Sequence, residues 1–152
     1  MDRADFDGPD LLRPLTEQGR LKAKAAFQAL ARVYGAPDLI ISSKAVRARE
    51  TAEILRGCLG GPAVADTDLL NPGADDRHFM KALAALAAKH EYVAVVGHEP
   101  DFSSIVGVVC GGAGLRIEVK KASCIEVDLN RSLGRGELKA AYPPSALIAL
   151  AK

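Results

Sequence analysis

The chain has 152 residues, 49% hydrophobic and 26% charged, with a formal net charge of +1. That length suits one domain over residues 1–152, with enough apolar content for a real core and too little room for two ordinary domains. The near-neutral balance excludes a global field that would recruit nucleic acid or an anionic membrane, so an anion must be held by a local pocket. The segment Met1 to Pro9 is acidic and lacks an apolar core, which argues against a secretory signal, and no apolar run approaches membrane-spanning length. The expected location is the cytoplasm.

In chain order, Leu21, Ala25, Ala29, Leu30 and Val33 share one face of a helix from Thr16 to about Tyr34, with Thr16 as N-cap and Gly35-Ala36-Pro37 as the stop. Leu39-Ile40-Ile41 is a short buried strand. A second helix from about Ala45 to Leu59 aligns Ala48, Ala52, Leu55 and Leu59 and ends at Gly60-Gly61-Pro62. Ala63-Val64-Ala65 is a weak edge strand, and Asn71-Pro72-Gly73 a turn. A third helix from about Asp75 to Lys89 turns Phe79, Leu83 and Leu86 inward.

Val93-Ala94-Val95-Val96 is apolar without alternation, the pattern of a strand buried on both faces, and it ends in Gly97-His98. Pro100 to about Cys110 suits a helix that stops at Gly111-Gly112. Ser123 to Leu129 then alternates apolar and polar residues, and a Gly134-Arg135-Gly136 turn leads to a partner strand from Leu138 to Tyr142. Strands alternating with helices, followed by a late hairpin, predict a three-layer α/β/α sandwich whose mostly parallel sheet gains antiparallel edge strands.

Cys58, Cys110 and Cys124 are odd in number and have no Cys-x-x-Cys pairing, so buried reduced thiols are expected, and neither a disulfide framework nor a zinc site. No His and carboxylate cluster has metal-ligand spacing, and neither Gly-x-Ser-x-Gly nor Gly-x-x-x-x-Gly-Lys occurs. The reading is therefore one without metal or cofactor.

Ligands of such sheets bind at the carboxyl ends of the strands. Ser42 and Ser43 leave one strand there, Gly97 and His98 another, and Arg47 follows one turn into a helix. A guanidinium fork, an imidazole and a helix amino terminus make an anion pocket suited to a phosphoryl group. Arg47 also reads as a solvated helix residue paired with Glu50 or Glu53, His98 as a capping histidine, and Arg13 as a bystander to helix initiation by Pro14 and Thr16. His78, His90 and the Lys120-Lys121 pair read as surface or core positions, and Glu99 as a solvated carboxylate.

Three segments in order resemble the histidine phosphatase superfamily, specifically its small bacterial phosphohistidine phosphatases of the SixA type. Arg13-Pro14-Leu15-Thr16 with Gly19-Arg20 is similar to the segment after the family's first loop. Ser43 through Ala52 is similar to its Ser-Pro-x-x-Arg-Ala-x-x-Thr-Ala pattern, with Lys44 where proline is usual, and Gly97-His98-Glu99-Pro100 to its late Gly-His motif. Lys120 to Ser123 and Gly136 to Pro144 resemble the closing strands of the small bacterial branch.

The resemblance implies a phosphoglycerate mutase-like fold and a metal-independent mechanism in which a histidine attacks phosphorus, forms a phosphohistidine, and is released by water. Carried over, Arg47 and His98 are catalytic, and Arg13, Arg47 and His98 bind phosphate. The implied substrate is a phosphohistidine protein or a small phosphoester. The family's nucleophile stands in an Arg-His-Gly or Arg-His-Ala motif that ends the first strand, and these 152 residues contain no such motif. Met1 to Phe6 resembles the stretch immediately after that motif. The absence of that strand implies two unpaired strand edges and a chain inactive as it stands, with two readings: the natural protein is longer and an ordinary phosphatase, or the short form is a non-catalytic phosphate- or phosphoprotein-binding module.

Overall fold

The computed structural model describes residues 6–111, 115–130 and 135–151. The segment Met1 to Asp5, Gly112 and the Gly134 part of the predicted turn lie outside them. A 3-10 turn at Asp10–Leu12 precedes helix α1 (Glu17–Leu30), strand β1 (Leu39–Ser43) and helix α2 (Val46–Leu59). Strand β2 (Ala65–Thr67), a second 3-10 turn (Asp68–Leu70), helix α3 (Asp76–Ala87), strand β3 (Val93–Val96) and helix α4 (Asp101–Cys110) come next. The hairpin of β4 (Cys124–Asn130) and β5 (Arg135–Tyr142) leads into helix α5 (Pro144–Leu150).

β1 lies between β2 and β3, parallel to both, with Ile41 opposite Ala65 and Ser42 opposite Val96. Successive β1 residues point to opposite faces. Ile40 accordingly belongs to a core formed with Phe27 and Leu30 of α1, Ala52 and Leu55 of α2 and Leu147 of α5. Ile41 packs on the other side with Phe79 of α3 and Ile105 and Val109 of α4. Cys124 and Tyr142 of the hairpin join the first core, and Val127 and Leu129 the second. The hairpin therefore occupies the same middle layer as the parallel strands, and the three-layer α/β/α architecture is the one expected.

The sheet itself departs from the expected continuous one. Among the described residues β3 pairs only with β1 and β4 only with β5, so the middle layer is a three-stranded parallel sheet beside a separate antiparallel pair. The division leaves β3 with one open edge and the hairpin with others. β3 was expected to be buried on both faces. All of its residues are only part-buried, because a strand with a neighbour on one side shields its flank incompletely.

Helix boundaries follow their caps. Thr16 Oγ1 accepts a hydrogen bond from Gly19 N at 2.9 Å and starts α1, as predicted. The inward face of α1 is a correction in part, since Ala29 and Leu30 are buried as predicted but Leu21 and Val33 are not. Ala23, Ala26, Phe27, Ala29 and Leu30 are buried, whereas Leu21 is 64% and Val33 68% exposed. Phe27 carries most apolar area, and burying it rotates the helix away from the Leu21 stripe. Asp75 caps α3 by accepting from Arg77 N at 2.9 Å. The edge strand begins at Ala65, two residues later than the first residue predicted. α5 went unpredicted, since Pro143-Pro144 reads as the end of a strand, yet a proline at the first helical position is compatible with helix initiation. The free cysteines are part-buried, where full burial was expected.

Candidate functional site

β1 and β3 run parallel, so Ser43 and the Gly97-His98 loop leave the same rim of the sheet. There His98 Nε2 lies 3.0 Å from Ser43 Oγ. Gly97 must be small, because a Cβ on it would come within 2.8 Å of the Phe102 ring. Ser43 is fully buried and has two further partners, donating to Asn71 Oδ1 at 3.0 Å and accepting from Ala45 N at 3.1 Å.

Arg47 stands in the first turn of α2 and turns its fork onto residue 10. Nη1 donates to the Asp10 carbonyl at 2.6 Å and Nη2 to Asp10 Oδ2 at 2.8 Å. Arg13 donates from Nε to the other carboxylate oxygen, Oδ1, at 3.0 Å. Both arginine side chains are 16% exposed. The loop that carries Arg13 is tied to α2 by Glu50, which accepts from Leu15 N at 2.7 Å and pairs with Arg20 Nη1 at 2.7 Å. Neither alternative partner considered for Arg47 holds it, since Glu53 pairs with Arg56.

Two guanidiniums sharing one carboxylate leave net positive charge, and each retains N–H donors beyond those spent on Asp10. Burial pushes the Asp10 carboxyl up, but hydrogen bonding and charge from Arg13 and Arg47 more than offset it and hold it below its usual value. His98 is pushed down to about 4, mainly by burial, then by the Arg47 charge, with Asp10 opposing and Arg13 adding. At neutral pH the ring is therefore uncharged.

The His98 shift carries a stability consequence. Between about pH 6.5 and 4 the unfolded ring binds a proton that the folded ring does not, so stability falls as pH falls through that window. For a half-buried ring the expected loss is on the order of 2 kcal/mol. Urea midpoints at pH 7 and pH 4.5 check it. His98→Gln should flatten the difference, and an equal slope in both proteins would refute the assignment.

The remaining sequence candidates lie apart from this cluster. Glu99 Oε1 accepts from Ser103 N in the first turn of α4. His78 and His90 face Asp75 and Asp38 elsewhere on the surface. Lys44 pairs with Asp68 at 2.6 Å, and Lys120 with Glu118 at 3.6 Å. Among the described residues no group of three or more His, Cys, Asp or Glu could hold a metal ion, and no helix is long and apolar enough to cross a membrane.

Two residues at the site were missed from sequence. Asp10 had one weak signal, an acid three positions before Arg13. Asn71 had none, since Asn-Pro-Gly reads as a turn whatever its amide contacts.

The fold has counterparts among solved structures. The sequence pattern of the histidine phosphatase superfamily (branch 1) matches residues 10–72, a span that holds Asp10, Arg13, Ser43, Arg47 and Asn71. A solved structure of the protein histidine phosphatase SixA complexed with tungstate superposes with a TM-score of 0.85 at 25% identity, covering 96% of this chain and 94% of that one. This chain belongs to the histidine phosphatase superfamily. A solved structure from Agrobacterium tumefaciens, 26% identical and covering 91% of this chain and 90% of its own, matches this superfamily member with a TM-score of 0.74. An uncharacterized protein of Picosynechococcus sp. is 33% identical over 126 residues, which span 82% of this superfamily chain and 76% of the relative.

Proposed function

We propose that this chain is the phosphate-holding body of a phosphohistidine phosphatase acting on a phosphoprotein. The observation that carries the reading is the convergence of Arg13, Arg47 and His98 on one rim, with both guanidiniums shielded and held side by side by Asp10. In the superfamily's chemistry a histidine nitrogen attacks phosphorus, the bond to the leaving group breaks, and water later cleaves the phosphohistidine. The arginines would hold the equatorial oxygens while charge builds on them, and His98 would face the same group from the β3 side. A protein substrate is favoured over a small phosphoester because Leu11 and Leu12, beside the anion site, are 42% and 59% exposed and offer apolar surface to a partner.

The superfamily's attacking histidine belongs to an Arg-His-Gly or Arg-His-Ala motif that ends the first strand, and the 152 residues contain neither. The expected behaviour of this chain alone is therefore phosphate binding without turnover. The test compares it with a version extended at the amino end by an apolar strand ending in Arg-His-Gly, using a histidine-phosphorylated peptide as substrate. The extended protein should release phosphate and accumulate an acid-labile phosphohistidine. Hydrolysis by the unextended chain, or none by an extended protein that binds phosphate, would overturn the proposal. The second outcome would leave a phosphoprotein-binding module.

A further inference from the structure

The hydrogen bonds around Ser43 determine which nitrogen of His98 carries a proton. Asn71 Oδ1 accepts from Lys44 N at 3.0 Å, and Asn71 Nδ2 donates to Asp68 Oδ1 at 3.1 Å. These two contacts orient the amide, because a backbone N–H cannot be accepted by an NH2 group and a carboxylate cannot donate to a carbonyl oxygen. The atom facing Ser43 is consequently an acceptor, and the single hydroxyl proton of Ser43 goes to it. Sending that proton to His98 instead would leave two oxygen lone pairs opposed at 3.0 Å in a buried setting.

Ser43 Oγ thus has only lone pairs left. One accepts from Ala45 N at 3.1 Å, and the other meets His98 Nε2 at 3.0 Å. Two acceptors cannot bond each other, so Nε2 is the protonated nitrogen. His98 Nδ1 has no hydrogen-bond partner among the described residues. We propose that Ser43 and Asn71 are positioning residues that lock His98 as the Nε2–H tautomer and reserve Nδ1 for a bound phosphoryl group. The role at Nδ1 rests on the phosphate reading above; the tautomer lock does not.

The chemical consequence concerns the protonation of the ligand. In the neutral ring Nδ1 can only accept, so it matches a phosphoryl oxygen that carries a proton. The two guanidiniums supply donors to the unprotonated oxygens. The opposite tautomer would place an N–H at Nδ1 and orphan Ser43 from the ring.

Long-range proton–nitrogen correlation spectra of the 15N-labelled, ligand-free chain at pH 7 read the tautomer directly, with His78 and His90 as internal references. The expected result is a single Nε2–H form for His98. Ser43→Ala and, separately, Asn71→Ala should release the ring into a mixture of tautomers, and Ser43→Ala should weaken binding of inorganic phosphate about tenfold. An Nδ1–H form in the wild-type chain, which needs no variant to observe, would overturn the proposal. So would an unchanged His98 pattern in folded Ser43→Ala. A chain with the expected tautomer that binds no phosphate would sink the anion-site reading alone. The wrong tautomer with intact phosphate binding would sink this proposal alone.

Discussion

Replacing Arg47 with alanine lowers the affinity for inorganic phosphate about a hundredfold, the effect expected from losing a charge-assisted fork at a shielded anion site. The side chain is 16% exposed, so water cannot fully replace it, and its partner Asp10 is left with Arg13 alone. The Asp10–Arg13 pair that remains is neutral, so the net positive charge that faces an incoming anion is lost. Arg47→Lys restores the charge without the planar fork and should recover less than tenfold of the loss. Isothermal titration with phosphate measures both variants, and thermal melts confirm that each is folded. Wild-type affinity in folded Arg47→Ala would remove Arg47 from the site and return it to the role of a helix residue tethering the Asp10 turn.

Gly136→Ala should destabilise the fold by about 2–3 kcal/mol, at the upper end of overpacking costs. Gly136 sits opposite Leu129 in the hairpin, and a Cβ there would lie 2.8 Å from the Asp128 carbonyl oxygen, from Val109 Cγ1 and from Val127 Cγ1. One of these contacts is backbone, so no side-chain rotation relieves it. Val109 belongs to α4, and the missing side chain at residue 136 lets that helix rest close against β5. α4 starts just after His98-Glu99-Pro100, so prising it away also loosens the imidazole. The expected fall in Tm is about 5–10 °C for a chain of this size. Gly35→Ala, where a Cβ would meet nothing within 4 Å, is the control and should stay within about 0.5 kcal/mol. Equal melting temperatures for the two variants would show that the hairpin shifts freely on α4.

The elements legible in the sequence were those with strong periodicity and local chemistry. Thr16 as a cap, the Ala48-Ala52-Leu55 stripe and the apolar run of β1 depend on neighbours within a few residues, and each stands in the structure as read. The face of α1 was misjudged because Leu21 and Phe27 cannot both point inward, and the choice between them belongs to β1 and α5, far away in the chain. α5 was missed because two prolines are compatible with an extended end as well as with a helix start. What decides is the core of α1, β1 and α2, into which Leu147 packs.

At the site, Ser42-Ser43, Arg47 and Gly97-His98 suggested an anion pocket by residue type, and it was the order of Arg13, the Ser43 to Ala52 segment and Gly97-His98, as a family resemblance, that implied phosphate. Residue type and spacing, with a parallel α/β pattern, were sufficient to predict a common rim. They carried no information on Asp10 between the two guanidiniums or on Asn71 behind Ser43. Those contacts join positions 37 and 28 residues apart and depend on hydrogen-bond angles that no periodicity encodes. The division of the middle layer into two sheets was likewise a matter of which edges find partners. The sequence by itself determined the layers and the shared rim, since these rest on local propensity and hydrophobic pattern. Only the tertiary structure decided how the charges are paired and which nitrogen of His98 holds the proton, because both depend on distances between segments remote in the chain.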